Sequence, residues 1–340
     1  MNRLNDRFLR ACRREPVDVT PVWLMRQAGR YQPEYRRLRE KHAMLELCTN
    51  PDLAAEVTLL PLRRFELDAA ILFSDLTVPF LAMGVSFALK ENVGPVIAQP
   101  LRTEEDINAL RVMEPQDDLP FVAESIRILR RELKVPLIGF TGAPFTLAAY
   151  LIEGGPSRDY SRVRAMIYRE PKLWMRLMKT LAENITRYLR MQIEAGVQAV
   201  QLFDSWVGAV SPAVYRRYIL PVMQEIITAL QPLGVPIIYF GTGTASLLEA
   251  MQETGADVIG VDWRVLLDEA WGRLGYRCAI QGNLDPAVLL SSADTVRAEV
   301  QDVLRRAGGR PGHIFNLGHG VLPETPIENV QVLIDSVHAQ

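Results

Sequence analysis

Ala199-Val200-Gln201-Leu202-Phe203-Asp204-Ser205 is a short, mostly apolar run that ends in polar residues, and a long helical pattern leads into it. In that pattern Leu173, Leu177, Leu181, Ile185, Leu189 and Ile193 recur every four residues, and Gly196 supplies a C-terminal cap. Upstream lies a second run of the same kind, residues 136–142. Near-continuous hydrophobicity, without strict alternation, is how strands buried on both faces read. Strand, helix, strand is therefore the local grammar.

Working outward, the same run recurs at residues 21–27, 69–75, 236–243, 257–263, 278–284 and 313–320, which makes eight in all. Helix signals fill the intervals. Asn50-Pro51-Asp52 offers a capping side chain, a first-turn proline and an early acid, and residues 246–254 and 295–307 supply two more helical stretches. Eight strands alternating with helices predict a (β/α)8 TIM barrel. Its spacing is uneven: strand starts five, six and seven are 21 residues apart, close to the minimum for such a unit. The long gap after strand two holds residues 85–89 and 95–98, which look like a β-hairpin inserted over the barrel mouth. The barrel is therefore expected to be distorted. A doubly wound open sheet is the alternative, and strict alternation counts against it.

Composition narrows the class further. The 340 residues carry 49% hydrophobic and 23% charged side chains, ordinary for a globular enzyme. A net charge of -2 argues against nucleic acid as a partner, since such proteins usually carry a basic excess. Cys12, Cys48 and Cys278 form no paired spacing, as expected of a reduced, cytoplasmic setting. No run approaches 18 consecutive apolar residues, and residues 1–15 are too polar for a signal peptide, so neither membrane nor secretion is expected. Without linkers or low-complexity segments, residues 1–340 read as one barrel domain.

In such barrels the active site lies at the C-terminal ends of the strands. That rule selects Arg26, Gln27 and Arg30, then Ser74 and Asp75, Thr141 and Gly142, and Asp204 and Ser205. It continues with residues 241–244, Asp262, Asn283, Asp285 and His319. Arg26 and Arg30 flank the permissive Gly29, and each guanidinium is a fork that fits a carboxylate. Arg39 is a candidate third cation on the same rim. A surface ion-pair network is the alternative for Arg26 and Arg30, and a solvated helix face shared with Arg36, Arg37 and Lys41 is the alternative for Arg39. Asp75 follows a strongly apolar run, where a carboxylate is costly unless something pairs with it. It is either a helix cap or structural ion pair, or an anion that stabilises a cation in a dry pocket. His313 and His319 have no adjacent cysteine or acid, so no metal site is expected. Gly241-Thr242-Gly243-Thr244 is only a weak phosphate-loop signal, lacking the P-loop lysine. Residues 139–150 read as an apolar wall ending in the Tyr150 phenol, suited to a large flat ligand or to simple packing.

These residues carry a family resemblance. Residues 21–31, ending Arg26-Gln27-Ala28-Gly29-Arg30-Tyr31, and residues 139–146, Gly-Phe-Thr-Gly-Ala-Pro-Phe-Thr, resemble the two signature segments of the uroporphyrinogen decarboxylase family. Phe73-Ser74-Asp75, Leu202-Phe203-Asp204-Ser205 and Asn316-Leu317-Gly318-His319-Gly320 match it in the same order, and the similarity runs from about residue 2 to residue 338. Phe145 stands where many members have tryptophan.

The resemblance implies a distorted (β/α)8 barrel, a homodimer with facing clefts, and cofactor-free loss of four acetate carboxyl groups from uroporphyrinogen III. It places substrate contacts at Arg26, Gln27, Ala28, Gly29, Arg30, Asp75, Tyr150, Ser205 and His319, with Asp75 and Arg26 catalytic. Arg26, Tyr150, His319 or a water held by Arg26 could deliver the protons. Phe73, Phe145 and Phe203 are expected as apolar walls. Two other classes compete: a corrinoid-dependent methyltransferase, which needs His and Cys zinc ligands at strand ends, and a porphyrinogen carrier with no reason to set an anion against the pyrroles.

Overall fold

The computed structural model describes residues 4–91 and 93–339. Its strands are β1 (Ala70–Ile71), β2 (Phe87–Lys90), β3 (Gly94–Ile97), β4 (Leu137–Gly142), β5 (Ala199–Asp204), β6 (Ile237–Gly241), β7 (Val258–Gly260), β8 (Ala279–Gln281) and β9 (His313–Ile314). Seven of them form a curled sheet in the order β1-β4-β5-β6-β7-β8-β9, all neighbours parallel. The order never reverses, so there is no switch point of the doubly wound kind.

The first expected strand is the shortest. Residues 21–27 contribute one parallel bridge, Val22 to Phe315. Phe315 N donates to Pro21 O at 2.8 Å on one side, and Asp68 N donates to Val22 O at 2.9 Å on the other. The segment therefore joins the two edges of the curled sheet. Gln27 N turns back to Leu24 O at 2.9 Å, which ends the extended stretch where the loop begins.

Strand residues alternate between two apolar layers. Trp23, Met25, Ile138, Ala199, Ile238, Phe240, Val258, Ala279 and Ile314 pack together inside the ring. Their neighbours Val200, Leu202, Tyr239, Ile259 and Ile280 pack outward against the helices. A polar string also runs through the interior: Trp23 Nε1 donates to Gln281 Oε1 and Gln281 Nε2 to Gln201 Oε1, each at 3.0 Å.

The helices follow the sequence signals. Helix Pro171–Ala195 buries Leu173, Leu177, Leu181, Ile185 and Leu189, and ends at Gly196 with φ +122°. Helix Pro51–Arg64 starts with Asn50 accepting from Asp52 N and Leu53 N. Helices Leu248–Gln252 and Ala293–Ala307 occupy the two later stretches. β2 and β3 form the expected antiparallel hairpin. It docks on helix Pro144–Glu153, with Ile97 N donating to Gly154 O at 2.9 Å.

At the opposite end of the ring, Asp68 is buried and fully engaged. It accepts from Arg7 Nη1 at 2.6 Å, Asn5 Nδ2 at 3.0 Å and Val22 N at 2.8 Å, and meets His338 Nε2 at 2.9 Å. Residues from both ends of the described chain thus share one carboxylate. No described helix is long and apolar enough to cross a membrane.

Candidate active site

The strand-end rim begins with Arg26, whose φ of +59° is unusual for a residue with a β-carbon. Its neighbours hold that conformation. Met25 N donates to Asn316 Oδ1 at 3.0 Å, and Val321 N donates to Met25 O at 2.9 Å, so the loop is tied to the loop after β9. The Arg26 side chain then lies across Gly320, where a β-carbon would overlap Arg26 Cγ and Cδ.

Gln27 is only 1% exposed, and its side chain braces the loop. Its Oε1 accepts from Leu24 N at 3.1 Å, its Nε2 donates to Ala69 O at 3.2 Å, and its carbonyl accepts from Tyr31 Oη at 2.7 Å. Ala28 and Gly29 are half-buried, while Arg26 and Arg30 are exposed. Arg39 donates to His42 O at 2.6 Å. Tyr35 marks the meeting place of these cations. Burial pushes its phenol up, and Arg39, Arg30 and Arg26 pull the other way.

Asp75 is half-buried. Its Oδ1 accepts from Thr77 N at 2.9 Å and Thr77 Oγ1 at 2.5 Å, which closes the turn after the strand. Asp75 therefore closes a turn and does not cap the next helix, whose N-cap is Val78, and its hydrogen-bond partner is a threonine. Tyr150 shares its surroundings: burial pushes the phenol up to about 12, the Asp75 charge adds to the shift, and Arg26 opposes it. The Tyr150 ring meets Trp206 edge-on at 6.1 Å, and Trp206 stacks on Tyr160 at 5.3 Å.

His319 is half-buried. Burial, then the charges of Arg26 and Arg264, hold its imidazole down to about 4, so it is neutral at pH 7. Ser205 is half-buried, and its carbonyl accepts from Thr242 Oγ1 at 2.5 Å. Asp75 and Arg26 thus both bear on Tyr150, Arg26 also bears on His319, and Arg26, Arg30 and Arg39 all bear on Tyr35.

Other expected residues lie elsewhere. Strand alternation puts Phe203 inside the ring and Asp204 outside it, against the helices. Asp204 accepts from Thr146 N at 3.2 Å, Thr146 Oγ1 at 2.8 Å and Tyr239 Oη at 2.7 Å. Burial outweighs these bonds and pushes its carboxyl up to about 6. Phe145 is fully buried on Trp174, 6.1 Å between centroids, so it is packing and not a wall. Phe203, between Phe140 at 5.5 Å and Phe240 at 5.9 Å, and Phe73, edge-on to Tyr35 at 5.8 Å, remain half-buried. Asp285 caps the turn Pro286–Leu290 through Ala287 N, and Asn283 Nδ2 donates to Asp262 O and Val265 O. The Gly241–Thr244 loop is no open phosphate cradle, because Gly243 N donates to Asp262 Oδ2 at 2.7 Å. His313 is buried, with Nε2 2.9 Å from Gly282 O. Among the described residues no group of three or more His, Cys, Asp or Glu could hold a metal.

Sequence reasoning missed Arg264. It pairs with the buried Asp262 at 2.5 Å and lies over the Trp263 ring at 4.1 Å, beside His319. Its signal was the position two residues beyond a strand-end acid.

Fold and charge layout define a parallel α/β-barrel enzyme. A family model described as uroporphyrinogen decarboxylase (URO-D) matches residues 3–340. A uroporphyrinogen decarboxylase from Thermus thermophilus is 56% identical over 337 residues, 99% of this chain and 98% of that protein. One from Carboxydothermus hydrogenoformans is 52% identical, over 98% and 96%. The chain belongs to the uroporphyrinogen decarboxylase family, which makes it a carboxy-lyase. Among solved structures, a methyltransferase from Methanosarcina mazei matches with a TM-score of 0.84 over 98% of both chains at 22% identity, a likeness of fold alone.

Proposed function

We propose that this chain removes the four acetate carboxyl groups of uroporphyrinogen III as CO2, leaving methyl groups and coproporphyrinogen III. The observation that carries the site assignment is Asp75, a half-buried carboxylate bonded to Thr77 and coupled to Tyr150 opposite Arg26. The substrate has eight carboxylates around an apolar macrocycle, with four pyrrole N–H groups converging on its centre. Arg26 and Arg30 bind carboxylates at the rim, Phe73 and Phe203 pack against the rings, and Asp75 accepts from the pyrroles. Gln27, Ala28 and Gly29 shape the loop beneath, while Tyr150, Ser205 and His319 complete the contacts.

No cofactor is required for this chemistry. Protonating a pyrrole carbon makes the ring an iminium-like cation, and the adjacent acetate releases its electrons into it as CO2 leaves. Asp75 stabilises that cation electrostatically. Arg26, Tyr150, His319 and a water held by Arg26 are the candidate proton donors, and burial makes a neutral His319 and a Tyr150 near 12 reluctant acids at pH 7.

The reading takes residues 1–340 as one barrel domain, acting in the cytoplasm as a homodimer with facing clefts. Steady-state CO2 release from uroporphyrinogen, with identification of the product, tests the activity. Binding without CO2 release would leave a carrier instead.

A further inference from the structure

Helix Pro144–Glu153 carries Tyr150 but begins without a cap of its own. Its N-cap residue is Ala143, which has no side-chain acceptor, and Pro144 occupies the first turn. The N–H of Thr146 is one of the donors that a helix start leaves unpaired. Asp204 accepts it from another element, together with the Thr146 hydroxyl. The carboxylate also sits at the positive end of the helix dipole. Its second oxygen is held by Tyr239, whose hydroxyl is in turn 3.1 Å from that of Tyr215.

The other half of the arrangement lies two residues on. Trp206 N donates to the same Thr146 Oγ1 at 3.3 Å. Asp204 and Trp206 therefore grip Thr146 from both sides, with Ser205 between them. Tyr150 is one helical turn beyond Thr146 on the same face, and its ring rests against Trp206.

From this geometry we infer that Asp204 is a positioning residue: through Thr146 it sets the helix that places Tyr150 and the loop that places Ser205. The inference rests on the proposed function, which puts those two residues on the substrate. Asp204 itself faces the helical shell and touches no substrate. A carboxylate suits the task because it can accept from three donors at once, one of them at a helix N-terminus.

A double-mutant cycle tests it. Asp204→Asn keeps the shape and is expected to lower kcat/KM for uroporphyrinogen roughly tenfold, the loss from one misplaced hydrogen bond. In a background that carries both Tyr150→Phe and Ser205→Ala the same change should have little further effect, because contributions made through the same residues do not add. Thr146→Val should reproduce the loss, and Thr146→Ser, which keeps the hydroxyl, should restore activity. Full additivity, or a Thr146→Val enzyme as active as the wild type, would overturn the inference.

A substrate-free measurement separates it from the proposed function. The emission belonging to Trp206, taken as wild type minus Trp206→Phe, should shift in the Asp204→Asn and Thr146→Val proteins. An unchanged Trp206 signal in both refutes the positioning. Wild-type CO2 release judges the activity independently.

Discussion

Arg26 and Gly320 occupy adjoining space so closely that a β-carbon on residue 320 would overlap the Arg26 stem. The strained backbone of Arg26 delivers the side chain to this spot, and the glycine leaves room for it. Gly320→Ala should therefore act on Arg26, not on the fold. A charge-assisted contact is worth about 1.5–3 kcal/mol, so KM should rise roughly ten- to a hundredfold while the melting temperature stays close to wild type. Unchanged kinetics would show that Arg26 works from another position.

Asp75→Asn retains an acceptor oxygen for Thr77 and removes only the charge. An ion pair at about 4 Å and an effective dielectric near 20 is worth on the order of 4 kcal/mol, and each ~1.36 kcal/mol is tenfold in rate. Turnover should fall roughly a thousandfold with the fold intact, and Asp75→Glu should be partly active. Melting curves and turnover on both variants check this. A folded Asp75→Asn protein with near-normal turnover would refute the electrostatic role.

Two buried acids should give stability opposite dependences on pH. Burial would push Asp68 up, but the His338, Val22 and Arg7 contacts prevail and hold it below its usual value. Its contribution is complete above the unfolded pKa of about 3.9 and is lost as pH falls through the folded value. Asp204 behaves the other way. Its folded carboxyl lies near 6, so between about 4 and 6 the folded state holds a proton that the unfolded state has released. Stability should therefore decline as pH rises through that window, by on the order of 3 kcal/mol at about 1.36 kcal/mol per pKa unit, and level off above it. Asp204→Asn should abolish this slope and leave the acid limb of Asp68. Denaturant titrations from pH 3 to 8 on both proteins would reveal it, and parallel curves would contradict it.

Activity should persist after exhaustive chelation and after removal of flavin, pyridoxal phosphate and thiamine, since the pyrrole ring serves as its own electron sink. An apo preparation that regains turnover only when zinc is returned would overturn the cofactor-free mechanism.

The barrel was legible because each strand left its own signal: an apolar run, a polar end and a capped helix behind it. Asn50, Gly196 and the spacing of Leu173 through Leu189 mark element ends wherever they occur in the chain. What stayed hidden was direction. A strand buried on both faces has no alternation to show which side faces the axis, so Asp204 and Ser205 looked equivalent at the end of β5. Phe145 was misread for a related reason: an aromatic at a helix start can face the mouth or the shell with the same sequence. The brace from Gln27 to Ala69 depends on a contact between separate segments, which no local pattern encodes, whereas the pairing of Arg264 with Asp262, two residues apart, was there to be read.

The Asp68 clasp has a consequence for how the chain comes into being. Asp68 and His338 are 270 residues apart, and the closing bridge from Val22 to Phe315 spans farther still. On the ribosome, the early segment around Val22 has no second edge to pair with until Phe315 has emerged. Ring closure is thus a long-range event of the kind that slows folding. Until it happens, β1 and β9 are both open sheet edges, the feature most prone to pairing with other chains. The bridge from Val22 to Phe315 is the contact that ends that exposure.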